Sequence, residues 1–176
     1  MSEPSALLAG ATRKAGVVWL GVPGQPRPVL VWPLWQEEPA VDGVPGGVLY
    51  VVAGPGEQPA PGLAGASQCA VTVRSAAGGR VLTWRAEVTR VTPGGAEWDA
   101  VVPTLLSKRL NLPDAAGAGQ RWAAECAVLR LAPTGELVES GDTLPTGSLA
   151  AAPPPSPART PTRVPFTLHR SPHRRP

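Results

Sequence analysis

The order of apolar and polar residues along the chain predicts mainly β structure. From residue 17 onward, apolar and β-branched runs alternate with glycine- and proline-rich breaks, a pattern typical of strands. The predicted strands are Val17–Val22, Arg27–Gln36, Val48–Gly54, Gln68–Ala76, Arg80–Val91 and Cys126–Ala132. The first two flank the turn signal PGQP and are expected to pair as an antiparallel hairpin. Pro33 cannot donate a ladder hydrogen bond, so it should lie on an edge or mark a bulge between Trp32 and Trp35.

Two segments have the composition and spacing of helices instead. Ala6–Gly16 contains good helix formers and then a glycine stop. Glu97–Leu110 places apolar residues three and four positions apart, with acids early and Lys108 and Arg109 late. Pro103 lies inside this second helix, where a proline costs about 3 kcal/mol, so we expect a bend there.

The regular pattern ends near Thr134. Residues 135–176 are rich in Pro, Ser, Thr, Ala and Arg, and burial there cannot offset an ordering entropy of about 1–2 kcal/mol per residue. We therefore predict a folded domain over residues 1–134 and a disordered tail over residues 135–176. The tail is either a basic arm for an RNA, membrane or protein partner, or a dispensable extension.

The net charge of +3 belongs to this tail. Five of the 16 basic residues follow Asp142, where no acid occurs, so the remaining 11 are outnumbered by the 13 acids. A nucleic-acid-binding domain needs its basic excess on a folded face, where several phosphates are neutralised together. The charge distribution therefore argues against nucleic acid as a partner of the predicted domain.

Few residues of the predicted domain offer chemistry of their own. Cys69 and Cys126 lie in apolar runs without CxxC spacing, so we expect buried free thiols of a reducing compartment, with a disulfide or a nucleophile as alternatives. His169 and His173 both lie in the tail, so we expect no metal site and no His-based triad, and the catalytic residues are unknown.

The N terminus lacks the charge order of a secretory signal, and no apolar run approaches the roughly 20 residues that span a bilayer. The chain is therefore predicted to be cytoplasmic and without a membrane segment.

The order of these elements resembles the flavin-binding split barrel, the pyridoxamine 5'-phosphate oxidase-like family, in its actinobacterial type. The resemblance covers about Ala6 to Pro133 and is carried by the segments KAGVVWLGV, RPVLVWPLW, VLYVVAGPGEQ, AVTVRS and LTWRAEVTRVTPGGAEWDAVVPTLLSKRL. It implies a mainly β (α+β) fold, a six-stranded antiparallel split β-barrel with two flanking helices. It also implies a homodimer that binds a small-molecule ligand, FMN or a deazaflavin, in a groove between the subunits.

The resemblance also indicates where a cofactor phosphate would lie. Arg27 matches a second-strand arginine that contacts the flavin phosphate, and Arg80 matches the start of the fifth strand. The Ser-Arg-Lys type segment of the family's phosphate loop is replaced by Glu57, Gln58 and Pro59. A carboxylate thus stands where a dianion would lie, and like charges about 4 Å apart repel by roughly 1–4 kcal/mol. Replacing Glu57 by lysine is therefore expected to create flavin binding.

Other ways of holding an anion remain open. The glycines of the segment GPGEQPAPGL could form a backbone nest, and Arg74 or Arg85 could supply charge. A groove between Trp32 and Trp84 with Arg27 at one end would suit a flat anionic ligand, although tryptophans on strands are more often core or interface. The candidate cofactor-binding residues are Arg27, Trp32, Gln58, Arg74, Arg80 and Trp84. Acidic residues of the loops are interpreted as solvated, namely Glu37, Glu38 and Glu57.

Two functions follow from this sequence. The first is a flavin (FMN)- or deazaflavin-dependent oxidoreductase acting on a small molecule, in which the cofactor carries the reaction. The alternative is a non-catalytic split-barrel binding or interaction module that has lost the phosphate-gripping residues. A yellow colour of the purified protein would distinguish the first from the second.

Overall fold

The computed structural model describes residues 3–40, 46–75, 79–110, 112 and 114–144. These residues form a mainly β structure with flanking helices, which confirms the predicted fold class. The elements are α1 (Glu3–Lys14), β1 (Val18–Gly21), β2 (Val29–Val31), β3 (Leu34–Gln36), β4 (Val48–Ala53), β5 (Gln68–Arg74), β6 (Arg80–Arg90), α2 (Ala96–Lys108), α3 (Ala118–Glu125) and β7 (Ala127–Ser140). Short 3-10 turns lie at Leu63–Gly65, between β4 and β5, and at Gly141–Thr143, after β7.

The seven strands form one antiparallel sheet in the order β2-β1-β5-β6-β7-β4-β3. The strands at its two ends, β2 and β3, are separated in the chain only by Trp32 and Pro33. Because consecutive Cα atoms are about 3.8 Å apart, Val31 and Leu34 lie within about 11 Å of each other. The two ends of the sheet must therefore approach, and the sheet curls into a half-barrel.

The predicted second strand, Arg27–Gln36, is in fact two strands. β2 pairs with β1, so the expected hairpin is confirmed for its first half, while β3 pairs with β4 at the other end of the sheet. Pro33 lies at the corner between them, where its missing N–H removes no ladder bond. The predicted strand count of six is therefore one too low.

The last strand is longer than the sequence indicates, because β7 continues to Ser140 instead of ending at Ala132. Its pairing with β6 is irregular where Trp84–Ala86 faces Pro133–Leu137, and Gly135 within this bulge has a φ of 89°. The turn-like residues of the bulge therefore interrupt the pairing without ending the strand. The predicted boundary after residue 134 falls inside β7, and the compact unit extends from Met1 to Leu144. The remainder of the predicted tail, residues 145–176, lies outside the described residues.

The helices also differ from the prediction in number. α1 and α2 are found close to their predicted positions, and α2 continues through Pro103, which lies on its exposed side. α3 lies between α2 and β7, where no helix was predicted, and its buried face consists of Ala118 and Trp122, four positions apart. Two flanking helices were expected, and the described residues form three.

Two apolar cores hold these elements together. The first fills the half-barrel and contains Trp84, and the second lies between the outer face of the sheet and helices α2 and α3. β4 is buried on both faces, with Leu49 and Val51 in the first core and Tyr50 and Val52 in the second. β4 therefore lies between the two cores.

Candidate functional site

The groove expected between Trp32, Trp84 and Arg27 is not formed. Trp84 is fully buried inside the half-barrel, whereas Trp32 packs against the second core. Arg27 lies in an exposed bend before β2. Trp84 is therefore a core residue and has no surface on which a ligand could stack.

Arg74 and Arg80 lie at neighbouring ends of β5 and β6 and engage other side chains of the protein. The Arg74 guanidinium stacks on the Trp19 ring, 5.2 Å from its centroid. Arg80 pairs with Glu139 on β7 at 3.2 Å, and Glu139 also accepts a hydrogen bond from Thr83. Both arginines thus stabilise the sheet, and neither is brought to the loop after β4.

Gln58 and Trp32, two of the predicted residues, are hydrogen-bonded to each other. The Trp32 N–H donates to Gln58 Oε1 at 2.8 Å, and Gln58 Nε2 donates to the Trp32 carbonyl at 3.0 Å. The side-chain amide therefore replaces a strand partner at the corner where β2 ends and β3 begins. Gln58 closes the gap in the half-barrel, and its amide is not free to bind a cofactor.

Glu57 lies in a buried cluster that we call the Glu57 cluster, formed with Arg109, Arg121 and Trp122. Its carboxylate accepts hydrogen bonds from Arg109 Nε at 2.9 Å, Arg121 at 3.2 Å and Trp122 Nε1 at 2.9 Å. The Glu57 side chain is 0% exposed, whereas each arginine side chain is 25% exposed. The carboxylate therefore joins the loop after β4 to the end of α2 and to α3.

The interpretation of Glu57 as a solvated loop residue is therefore wrong. Burial of a carboxylate is tolerated only when it is paired and hydrogen-bonded, and Glu57 has both kinds of partner. The expectation that lysine at this position would create flavin binding also changes, because that lysine would lie buried between two arginines. Glu57→Lys should therefore unfold the domain. Glu37, by contrast, is exposed and pairs with Arg13 at the surface.

Four backbone positions of the loop around this cluster cannot donate an N–H to an anion nest. Its three prolines, Pro55, Pro59 and Pro61, have no N–H, and the Glu57 N–H donates to the Gly54 carbonyl at 3.1 Å. Gly54 has a φ of 151°, and a Cβ there would lie 2.8 Å from the Cys126 sulfur, so this glycine is required for packing. Gly54 thus serves the packing of the loop against Cys126, the residue between α3 and β7.

A cleft of about 410 Å³, here called the α1–α2 cleft, lies next to the Glu57 cluster. Its lining residues are Arg13, Ala15, Gly16, Trp32, Pro33, Leu34, Trp35, Lys108, Arg109 and Leu110. Three of these described residues are cations and none is a carboxylate. Arg109 belongs to both sites, since it pairs with Glu57 and stacks on the Trp32 ring at 5.2 Å. The sequence places Lys108 and Arg109 at the end of a helix, but it does not indicate that β3 and α1 meet them there.

A second group of polar contacts at the second core is centred on Tyr50. Its hydroxyl donates to Glu97 at 2.8 Å, and Arg130 pairs with both Glu97 and Glu38. Burial, together with the neighbouring Glu97 carboxylate, raises the pKa of Tyr50 to about 12. The network is internally satisfied and holds β4 and β7 against the start of α2.

Both cysteines are buried free thiols, as predicted. Burial raises the pKa of Cys69 to about 12 and also raises the pKa of Cys126, to which the nearby Glu57 charge contributes. A thiol whose pKa is raised in this way is a poor nucleophile at neutral pH.

In the described ranges, no three His, Cys, Asp or Glu residues are grouped so as to hold a metal ion. No helix among them has the length and apolar character needed to cross a membrane.

Comparison with known proteins finds similarity only among solved structures. No protein-family model and no curated protein matches the chain. A protein from Jannaschia sp. CCS1 described as general stress protein 26 is 16% identical, with a TM-score of 0.49 over 76% of this chain and 75% of that one. HutZ, the heme storage protein from Vibrio cholerae, is 14% identical, with a TM-score of 0.45 over 77% of this chain and 92% of HutZ. A general stress family protein from Xanthomonas campestris pv. campestris is 16% identical, with a TM-score of 0.46 over 87% of this chain and 100% of that one.

Proposed function

We propose that the protein is a non-catalytic split-barrel binding module of the pyridoxamine 5'-phosphate oxidase-like type. Its loop after β4 has no phosphate grip, by which we mean a set of side-chain and backbone donors that binds a cofactor phosphate. One observation carries the proposal. The Glu57 carboxylate is fully buried between Arg109 and Arg121, so the chain's own anion already pairs with these two cations.

A flavin phosphate does not fit this arrangement. The resemblance aligns Glu57, Gln58 and Pro59 with the residues that would hold the phosphate, and all three are unsuited to that role. Glu57 would repel a dianion, Gln58 has both ends of its amide bonded to Trp32, and Pro59 has no N–H. The contacts that would favour FMN over an uncharged flavin are therefore missing from this loop.

The proposal of a non-catalytic module also follows from the side chains near the site. A nucleophile needs an adjacent base, or a depressed pKa, to react at neutral pH. Cys126 lies near the Glu57 cluster, but burial and the Glu57 charge raise the pKa of its thiol. Glu57 itself is committed to three donors and cannot approach a substrate as a base.

A homodimer in the cytoplasm is part of this proposal. The strand pair β1–β2 presents partly exposed apolar side chains on the outside of the sheet, with Leu30 48% exposed and Trp19 opposite it in register. Exposed apolar side chains on a sheet face favour burial against a second copy of the chain. Buried free thiols are typical of proteins in a reducing compartment.

Native mass spectrometry of the protein purified from its own cells tests the proposal. We expect the mass of a dimer of the 18.1 kDa chain with no retained FMN or deazaflavin. Stoichiometric retention of either cofactor would contradict the absence of a phosphate grip. A monomer mass at micromolar concentration would refute the homodimer and leave the interpretation of Glu57 untouched.

A flavin- or deazaflavin-dependent oxidoreductase is the second candidate, because the α1–α2 cleft combines cations with tryptophan side chains. In this case the anionic part of the cofactor would have to lie outside the loop after β4. Retained cofactor in the mass spectrum, together with oxidation of a reduced nicotinamide by the loaded protein, would replace the first candidate by this one.

A further inference from the structure

The α1–α2 cleft has the chemistry of a site for an organic anion. The apolar part of its walls is formed by Trp32, Leu34 and Trp35 among others, and Leu110 is 80% exposed at its rim. A volume of about 410 Å³ lies within the range of about 300–1,000 Å³ usual for small-molecule sites. An apolar body and a negative charge in one molecule would complement this lining.

The three cations of the cleft differ in how far their charge is already neutralised. Arg13 pairs with Glu37 at 2.9 Å, and both side chains are more than half exposed. Arg109 pairs with the buried Glu57 at 2.9 Å and stacks on Trp32. Lys108 makes no ion pair with any of the described residues. Lys108 is therefore the cation whose charge is available to a ligand.

We infer that the α1–α2 cleft binds a small organic anion with an aromatic body, that Lys108 pairs with its charged group, and that Glu57 limits its affinity by holding Arg109. The inference rests on the proposed function in one respect, since it supplies the ligand of a binding module. The expected ligand is an aromatic ring system that bears a carboxylate, sulfonate or phosphate.

The role of Glu57 follows from the position of Arg109 between the two sites. One face of the guanidinium lies over Trp32, and its Nε donates to Glu57, so an anion in the cleft competes with Glu57 for the same charge. Removing the Glu57 charge without removing its shape should strengthen binding of an anion and leave binding of a neutral molecule unchanged. At a separation of about 6–8 Å and an effective dielectric constant near 40, one unit charge changes affinity by roughly five- to tenfold.

Two fluorescent probes that differ only by a sulfonate test this inference. The first is 8-anilinonaphthalene-1-sulfonate, and the second is its uncharged parent, N-phenyl-1-naphthylamine. Each is titrated into the full-length protein and into the variants Lys108→Gln, Lys14→Gln and Glu57→Gln. Lys14 is the matched control, because it is a cation at the end of α1 that lines a different cleft. Circular dichroism and thermal unfolding of each variant establish that it is folded.

We expect Lys108→Gln to weaken binding of the sulfonate about tenfold and to leave the neutral probe unchanged, while Lys14→Gln changes neither. Glu57→Gln should strengthen the sulfonate alone by about fivefold. Equal effects of the two lysine variants, or equal losses for the two probes in Lys108→Gln, would overturn the inference. If Glu57→Gln does not fold, the lysine pair still decides the question. None of these outcomes depends on whether FMN is retained, so this test and that of the proposed function fail separately.

Discussion

Replacing Glu57 by glutamine should remove much of the stability of the domain. The substitution keeps the shape of the side chain but removes the charge that offsets Arg109 and Arg121. Removing one partner of a buried ion pair costs about 3–5 kcal/mol. Since the two arginine side chains are 25% exposed and can be partly hydrated, we expect the lower end, about 3 kcal/mol.

Urea unfolding followed by tryptophan fluorescence measures this loss. With a slope of about 2 kcal/mol/M for a domain of this size, the midpoint should fall by about 1.5 M without a change in slope. Glu37→Gln is the matched control, because that carboxylate pairs with Arg13 at the surface and is 66% exposed. Its loss should stay below about 0.5 kcal/mol. A loss below about 1 kcal/mol for Glu57→Gln would refute the argument that this carboxylate is the internal counter-ion of the loop.

Three further predictions concern other parts of the domain. Because Tyr50 is the single tyrosine of the chain and its pKa is raised to about 12, its absorbance near 295 nm should titrate near pH 12. In the unfolded chain the tyrosine hydroxyl loses its proton near pH 10. The contribution of Tyr50 to the free energy of unfolding is therefore fully present below pH 10 and should be lost between pH 10 and 12. A titration midpoint near pH 10 in the native protein would contradict this. Both cysteines should resist an aromatic disulfide reagent at pH 8 until urea unfolds the protein, because they are buried and their pKa values are raised. Rapid reaction of the native protein would show that one of them is accessible. Gln58→Ala should lower the free energy of unfolding by about 2 kcal/mol in the same urea assay, because it leaves the Trp32 N–H and carbonyl without their partner. The control is Gln120→Ala on the exposed face of α3, and a loss for Gln58→Ala no larger than that of the control would contradict this role.

Much of the fold was predictable because most strands carry a local signal. β1, β4, β5 and β6 coincide closely with apolar runs bounded by turn residues. α3 carries no such signal. Gly117 and Gly119 are typical of a loop, and the buried face of this short helix consists only of Ala118 and Trp122. The second half of β7 was missed for a related reason. Its bulge contains Pro133 and Gly135, which in isolation indicate a chain reversal.

The site was harder to predict than the fold, because its contacts join residues that are distant in sequence. Glu57 is 52 positions from Arg109 and 65 from Trp122, and no local pattern links them. The segment GPGEQPAPGL contains Glu57, but the partners of Glu57 depend on how α2 and α3 pack against β4. Gln58 was selected for a cofactor and instead bonds the backbone of Trp32, another contact that only the closed half-barrel creates.

Calorimetric titration of the ligand-free protein with FMN and with riboflavin tests the central claim most directly. The two molecules differ only in the phosphate, so the ratio of their affinities measures what the protein gains from that group. We predict that FMN binds less than tenfold more tightly than riboflavin and that Lys108→Gln removes this small preference. A phosphate grip of two or more charge-assisted hydrogen bonds would give a preference of about a hundredfold or more. Such a preference, unchanged by Lys108→Gln, would contradict the conclusion that Glu57 occupies the anion position of the loop.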